Sequence, residues 1–411
     1  MSVDSADTAW LLISSALVML MTPGVALFYG GMVRRKSVLS TMMMSFAALA
    51  VVGLVWVLYG YSLSFASDNA GIIGGLDWAG LRQVGQMPSA VYASTVPHLA
   101  FMIFQAMFAV ITVALITGAV VERMKFSAVL VFSVLWLTAV YCPVAHWVWG
   151  EGGWLRELGA LDFAGGTVVH VAAGVSALGL ARLLGARKGF MGKEPMEPHS
   201  VPMVAIGAGL LWFGWFGFNA GSALTSGGLA ANAFVTTNIS AAAGALTWMM
   251  LSWRQRRPSL LGTATGAVAG LVAITPGAGF VAPLAGIPIG IVAAVVCYYC
   301  MLFRMRRGID ESLDVWAVHG MGGTWGAVAT GIFATTAVNA AGADGLLLGN
   351  GLQLLRQLAG VASVWAYAFM ATWILGKVID VTIGLRVTGT EETVGLDISQ
   401  HGERAYGGLL R

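Results

Sequence analysis

Long apolar runs constrain this chain before anything else does. They occupy roughly residues 8–32, 39–62, 97–121, 127–149, 163–184, 201–221, 231–253, 259–275, 283–303, 314–334 and 352–380. About 20 apolar residues in a helix span the hydrocarbon core of a bilayer, and a helix satisfies its own backbone there. The chain therefore reads as an all-α polytopic membrane protein with eleven transmembrane helices. Composition agrees: 58% of the residues are hydrophobic and 10% charged, against about 25% charged in soluble domains.

Basic residues set the orientation, because Lys and Arg accumulate in short cytoplasmic loops. All but Arg82, Arg156 and Arg356 fall in alternate loops, from Arg34, Arg35 and Lys36 through Lys193 and Arg256 to Arg411. The amino terminus is then expected outside the inner (plasma) membrane and the carboxyl terminus in the cytoplasm. The net charge of +3 reflects this asymmetry and gives no reason to expect nucleic acid as a partner. No basic flank precedes the first run, so it does not read as a complete secretory signal. Cys142, Cys297 and Cys300 fall within apolar runs and read as packing residues, since the C-x-x-C of 297–300 lacks the βαβ setting of a redox motif.

Two stretches break the apolar pattern, "LDFAGGTVVHVAAG" at 161–174 and "LDVWAVHGMGG" at 313–323. Each runs Leu-Asp, then Val-His, then small residues, and they fall on the fifth and tenth runs. The chain thus divides into two five-helix repeats, about 8–184 and 201–334, with an extra helix at about 352–380. Five is odd, so the second repeat enters the membrane in the opposite sense, and inverted repeats place a substrate path between the halves. Gly174 and Gly323 follow the histidines by four residues, where small residues let helices approach. Asp162 and Asp314 read as caps for the first helical turns. At 1.5 Å per residue, His170 lies about 12 Å inward of Asp162 and His319 about 8 Å outward of Asp314. Two rings then approach the midplane from opposite faces, where ionisable groups face a cavity or each other. With no charged residue clearly inside the runs beside them, a small neutral or transiently neutral substrate fits better than a permanent ion.

The outer approach is aromatic. Phe104 and Phe108 share one helix face, Phe218 and Ser222 another, and Trp149 ends the fourth run. Each alone reads as packing or interfacial belt; together they suggest a mouth where a cation meets an indole face above an apolar constriction.

"ERMKFSAVL", "GALDFAGGTVVH", "GWFGFNAGSA" and "VHGMGG" together resemble the ammonium transporter family that also includes the Rh proteins, nearest its bacterial branch. The resemblance runs from the first helix to the tail. It implies an eleven-helix protomer, a homotrimer with one pore per subunit, and ammonium uptake without enzymatic chemistry, cofactor or metal. It makes His170 and His319 the twin pore histidines and Phe108 and Phe218 the gate. Trp149 and Ser222, with Phe104 beside them, become the outer ammonium site, and Asp162 the residue that organises it. Ala106 and Met107 stand where relatives often have Gly-Ser, which would narrow the vestibule. Residues 1–384 form the transporter domain and 385–411 a cytoplasmic regulatory tail. The tail carries Arg386, Glu391 or Glu392, Gly395, Asp397, His401, Gly402, Glu403 and Tyr406 in the family's order, and implies a PII signalling protein as partner. Two alternatives stand beside this reading: an ammonium sensor of the same fold that moves little substrate, and a membrane redox protein whose histidines ligate haem.

Overall fold

The computed structural model describes residues 2–190, 192, 196–255 and 257–407. Lys193, Arg256 and Arg411, used above for orientation, lie outside the described residues. Helices run in the order α1 (Ser5–Met32), α2 (Arg35–Phe65), α3 (His98–Thr117), α4 (Phe126–Leu158), α5 (Gly166–Leu184), α6 (Val201–Gly221), α7 (Gly228–Gln255), α8 (Leu260–Ile274), α9 (Pro283–Arg306), α10 (316–333) and α11 (Gly351–Thr382). Among the described residues, nine of these are long and apolar enough to cross a membrane; α8 is shorter, and α10 joins the segment Trp316–Met321 to Gly322–Phe333. Two small antiparallel strand pairs occupy the connection between α2 and α3. Two short helices, α12 (Gly389–Val394) and α13 (Leu396–His401), form the tail.

Side-chain oxygens start several helices: Asp4 accepts from Ala6 and Asp7, Ser200 from Met203, and Ser259 from Gly262. These acceptors satisfy amides that an isolated helix leaves open. The chain's most extensive helix pairing joins α1 to α6, which open the two halves of the sequence.

Among the described residues, four helices contain a π-helical turn: Trp56–Gly60, Leu137–Tyr141, Gly166–Val171 and Trp316–Met321. Such turns are wider than α-helix and cluster at functional sites. Both candidate pore histidines sit in one, so the 1.5 Å rise used to place them does not hold over their surroundings. The helices carrying them touch backbone to backbone. A Cβ on Gly174 would fall 2.1 Å from the Gly320 nitrogen, and one on Gly323 would fall 2.8 Å from the Gly166 oxygen and 3.0 Å from His170 Cβ. Any larger residue here separates α5 from α10, and with them the two rings.

Candidate functional site

The start of α5 is held by one carboxylate. Asp162 Oδ1 accepts from the amides of Gly165 and Gly166, both at 2.7 Å, and Oδ2 from Thr167 at 2.7 Å and Val168 at 3.1 Å. Gly165 permits the turn with φ 109°. The Asp162 carbonyl accepts from Trp149 Nε1 at 2.9 Å, so the residue that starts α5 also aims the indole. With both oxygens committed, Asp162 positions the mouth from behind.

Asp314 does not play the matching part. Both of its contacts with the Arg304 guanidinium, at 2.6 and 2.9 Å, fall on Oδ1. Glu311 holds α10 instead, accepting from Val315 at 3.1 Å and Trp316 at 3.2 Å. The repeated Leu-Asp pair suggested the wrong register. Measured from the histidines, Asp162 and Glu311 both stand eight residues upstream, as Gly174 and Gly323 both stand four downstream.

Between α3, α4, α5 and α6, on the side expected to be outside, lies a cavity of about 280 Å³, bordered by Gln105, Phe108, Trp149, Asp162 and Ser222 among others. Ser222 Oγ donates to the Phe218 carbonyl at 2.9 Å, which leaves its lone pairs toward incoming donors. Arg156, also on the wall, donates to the Trp149 carbonyl at 2.9 Å. Phe104 is fully buried and sits behind Phe108 with ring centroids 4.8 Å apart; it does not line the cavity. Phe101 does, one turn earlier on α3.

Phe108 and Phe218 close the floor, stacked at 4.1 Å and 21°. Below Phe218 the ring of His170 follows at 5.9 Å, with Trp215 stacked against that ring at 5.3 Å. His170 Nδ1 meets His319 Nδ1 at 3.2 Å, and His170 Nε2 is buried without a partner. The space beside the two rings is about 10 Å³, walled by Val25, Ile111, Leu115 and Leu211 among others. Direct ring contact and so little room exclude a haem held between the histidines. His319 also borders an inner cavity of about 240 Å³, where Asp314, Ser252, Ser259 and Trp248 face it. A cavity, a ring stack, a narrow two-histidine passage and a second cavity thus follow one another.

Basic residues first read as topological markers are largely structural. Arg187 bonds Asp310 at 2.8 and 2.9 Å and Glu122 at 2.9 Å, while Arg34 reaches Glu122 at 3.1 Å. Arg123 is fully buried, donates to the carbonyls of Ala119 and Asp310, and is pushed down to about 10 by burial. The tail docks on this cluster. Arg386 caps the end of α5 through the carbonyls of Leu184 and Ala186 and pairs with Glu392 at 2.8 Å. Glu391 instead completes the capping box of α12 with Thr388. Gly395 crosses Lys36 too closely for any Cβ, with φ 106°. Asp397 accepts from the Ser40 amide at 2.8 Å, and burial raises its carboxyl pKa above the usual range. The His401 ring lies edge-on to Phe126 at 4.8 Å, Gly402 ends α13 with φ 69°, and the Glu403 amide returns to the Asp397 carbonyl at 3.1 Å. Tyr406 bonds His199 at 2.9 Å beneath the Arg35 guanidinium.

Comparison with known proteins points to one family. Residues 9–406 match the model of the Ammonium Transporter Family. An ammonium transporter of Bacillus subtilis is 52% identical over 402 residues, covering 97% of this chain and 98% of the relative. Ammonium transporter Amt1 of Archaeoglobus fulgidus is 53% identical over 401 residues, covering 97% and 99%. The crystal structure of Candida albicans Mep2 aligns with TM-score 0.90 at 41% identity over 98% of this chain and 90% of that one. A structure titled Sensor Amt Protein aligns with TM-score 0.88 at 28% identity over 96% and 98%.

Proposed function

The chain belongs to the ammonium transporter family, and from that premise we propose how its path recruits, strips and passes the substrate. It is a multi-pass membrane protein that transports ammonium. In our reading α8 and α10 join the nine longer helices to make eleven crossings, arranged as two inverted repeats with α11 added. The amino terminus lies outside the plasma membrane and the tail in the cytoplasm. Three copies assemble, each with its own pore, and the docked tail offers a surface to a PII-type partner.

The 3.2 Å contact between His170 and His319 carries the mechanism. A cation gains about 0.5–2 kcal/mol over an aromatic face, so ammonium is held outside by Trp149 and Ser222. The Phe108–Phe218 stack admits no hydrated ion, so the proton leaves the substrate before the neutral molecule passes. Two neutral imidazoles bonded Nδ1 to Nδ1 need one donor and one acceptor at that contact. Each ring's Nε2 then has the opposite character to its own Nδ1, so the pair presents one lone pair and one N–H. Ammonia finds both kinds of partner in a passage with no room for its water. The same bond offers the stripped proton a separate way through, which makes net uptake electrogenic.

Sensing without flux is the competing use of the fold, represented by a neighbour at 28% identity, against relatives named transporters at 52% and 53%. Purified protein in proteoliposomes should carry an inward current that tracks an ammonium pulse. Saturable ammonium binding with no flux above empty liposomes would leave the sensor.

A further inference from the structure

One polar group in the outer cavity has no role in that scheme. Gln105 borders the cavity beside Phe108, Trp149 and Ser222. Its Oε1 is buried without a hydrogen-bond partner, and no described residue bonds the other end of its amide. Gln105 stands four residues after Phe101 and three before Phe108, so all three share the face of α3 turned to the cavity. An amide there, flanked by apolar residues from Leu99 to Ile111, is unfavourable unless something bonds it.

The mouth is short of acceptors. Asp162 spends each oxygen on two amides, Ser222 has lone pairs on a single hydroxyl, and Trp149 presents a ring face because its N–H is committed. Ammonium brings four N–H donors. We infer that the Gln105 carboxamide oxygen is a further acceptor of the outer site, turning into the cavity to take one N–H of ammonium and so favouring it over alkylated amines of equal charge. Rotation about the last side-chain bond exchanges oxygen and nitrogen, and here it breaks no existing hydrogen bond. A methyl group on the amine cannot be directed at an acceptor without leaving it unpaired, so each added acceptor removes a direction open to the methyl and favours the unsubstituted cation. The inference rests on the outer-site reading given under the proposed function.

The test compares half-saturating ammonium and methylammonium, read from currents on supported proteoliposomes, for the unaltered protein, Gln105→Leu, Gln105→Glu and Trp149→Leu. Gln105→Leu keeps the bulk and removes the acceptor. A bond to a charged donor lost at a wet mouth is expected to raise half-saturating ammonium about tenfold and methylammonium only about twofold, compressing the preference. Gln105→Glu, which keeps acceptors and adds charge, should lower the value for both amines; it also carries the test if the leucine variant fails to assemble. Unchanged ammonium half-saturation in Gln105→Leu, or equal losses for the two amines, would make Gln105 part of the wall and end the inference. If Trp149→Leu shifts half-saturation while the Gln105 variants do not, only this inference falls. If none of them does, the outer-site reading falls with it.

Discussion

The two histidine helices begin alike and are anchored differently. Eight residues before each histidine a carboxylate gathers backbone amides, four for Asp162 and two for Glu311. At the outer end the anchor is complete in itself, and its carbonyl fixes Trp149. At the inner end Glu311 adjoins Asp310 and so belongs to a connected set of ions, with Arg187 bridging Asp310 and Glu122 and Arg386 tying the end of α5 to α12. The contrast is between an anchor made by one residue at the start of α5 and one set beside the ion network on which the tail docks. The tail joins the inner set at two points: Arg386 caps the end of α5, and the Val387 amide donates to the carbonyl of Arg123, whose guanidinium donates to the Asp310 carbonyl just ahead of α10.

The largest test asks whether the two helices are equal where they meet. His170→Ala and His319→Ala should each reduce ammonium-driven current in proteoliposomes to background while the protein still assembles, because either change leaves the other Nδ1 without its partner. Full current in one variant alone would show that the rings are not interdependent. Next, Asp162→Ala should cost more stability than Glu311→Ala, about 3 kcal/mol against about 1–2 kcal/mol, since more amides lose their acceptor. Unfolding midpoints in detergent decide it, and equal losses would erase the distinction between the anchors. The smallest effect is one of pH. Burial pushes the Glu311 carboxyl up to about 7 from its ordinary 4.5. A raised value in the folded state means stabilisation that is complete below the unfolded value and lost as pH climbs through the folded one. The unaltered protein should therefore unfold at a higher temperature near about pH 5.5 than near about pH 8, and Glu311→Gln should flatten that difference. A variant with the original slope would place the titration elsewhere.

What the sequence disclosed followed from contrast. His170 and His319 stood out because ionisable rings are costly in apolar runs, and their glycines at +4 foretold the close crossing that Gly174 and Gly320 make. The same habit hid Gln105, a neutral side chain one place from a phenylalanine that drew attention. Phe104 was assigned by its spacing from Phe108, but a helix face is wide enough to turn one ring to the cavity and bury its neighbour behind it. Glu311 was missed because a repeated dipeptide outweighed distance from the histidine. The π turns leave the apolar runs unbroken, so no periodicity marked them. Arg123 and Arg187 read as markers of the side of the membrane; their burial depends on partners far away in sequence, the Asp310 carbonyl for Arg123 and the Asp310 and Glu122 carboxylates for Arg187.

In the relay proposed above, the single hydrogen bond between the two imidazoles gives the path a memory. A proton arriving at the ring with the free lone pair displaces the shared proton onto its neighbour, which then releases one from its far nitrogen. Afterward both rings have exchanged tautomers, and the lone pair has moved to the opposite end of the pair. The next proton travelling in the same direction finds an N–H where its acceptor should be. The pair has to be reset between transits, by a proton exchanged with a passing molecule at the far end, so consecutive charges cannot follow one another freely. Such a relay counts: each crossing leaves a record that must be erased before the next, and an uncontrolled stream of protons is interrupted after one.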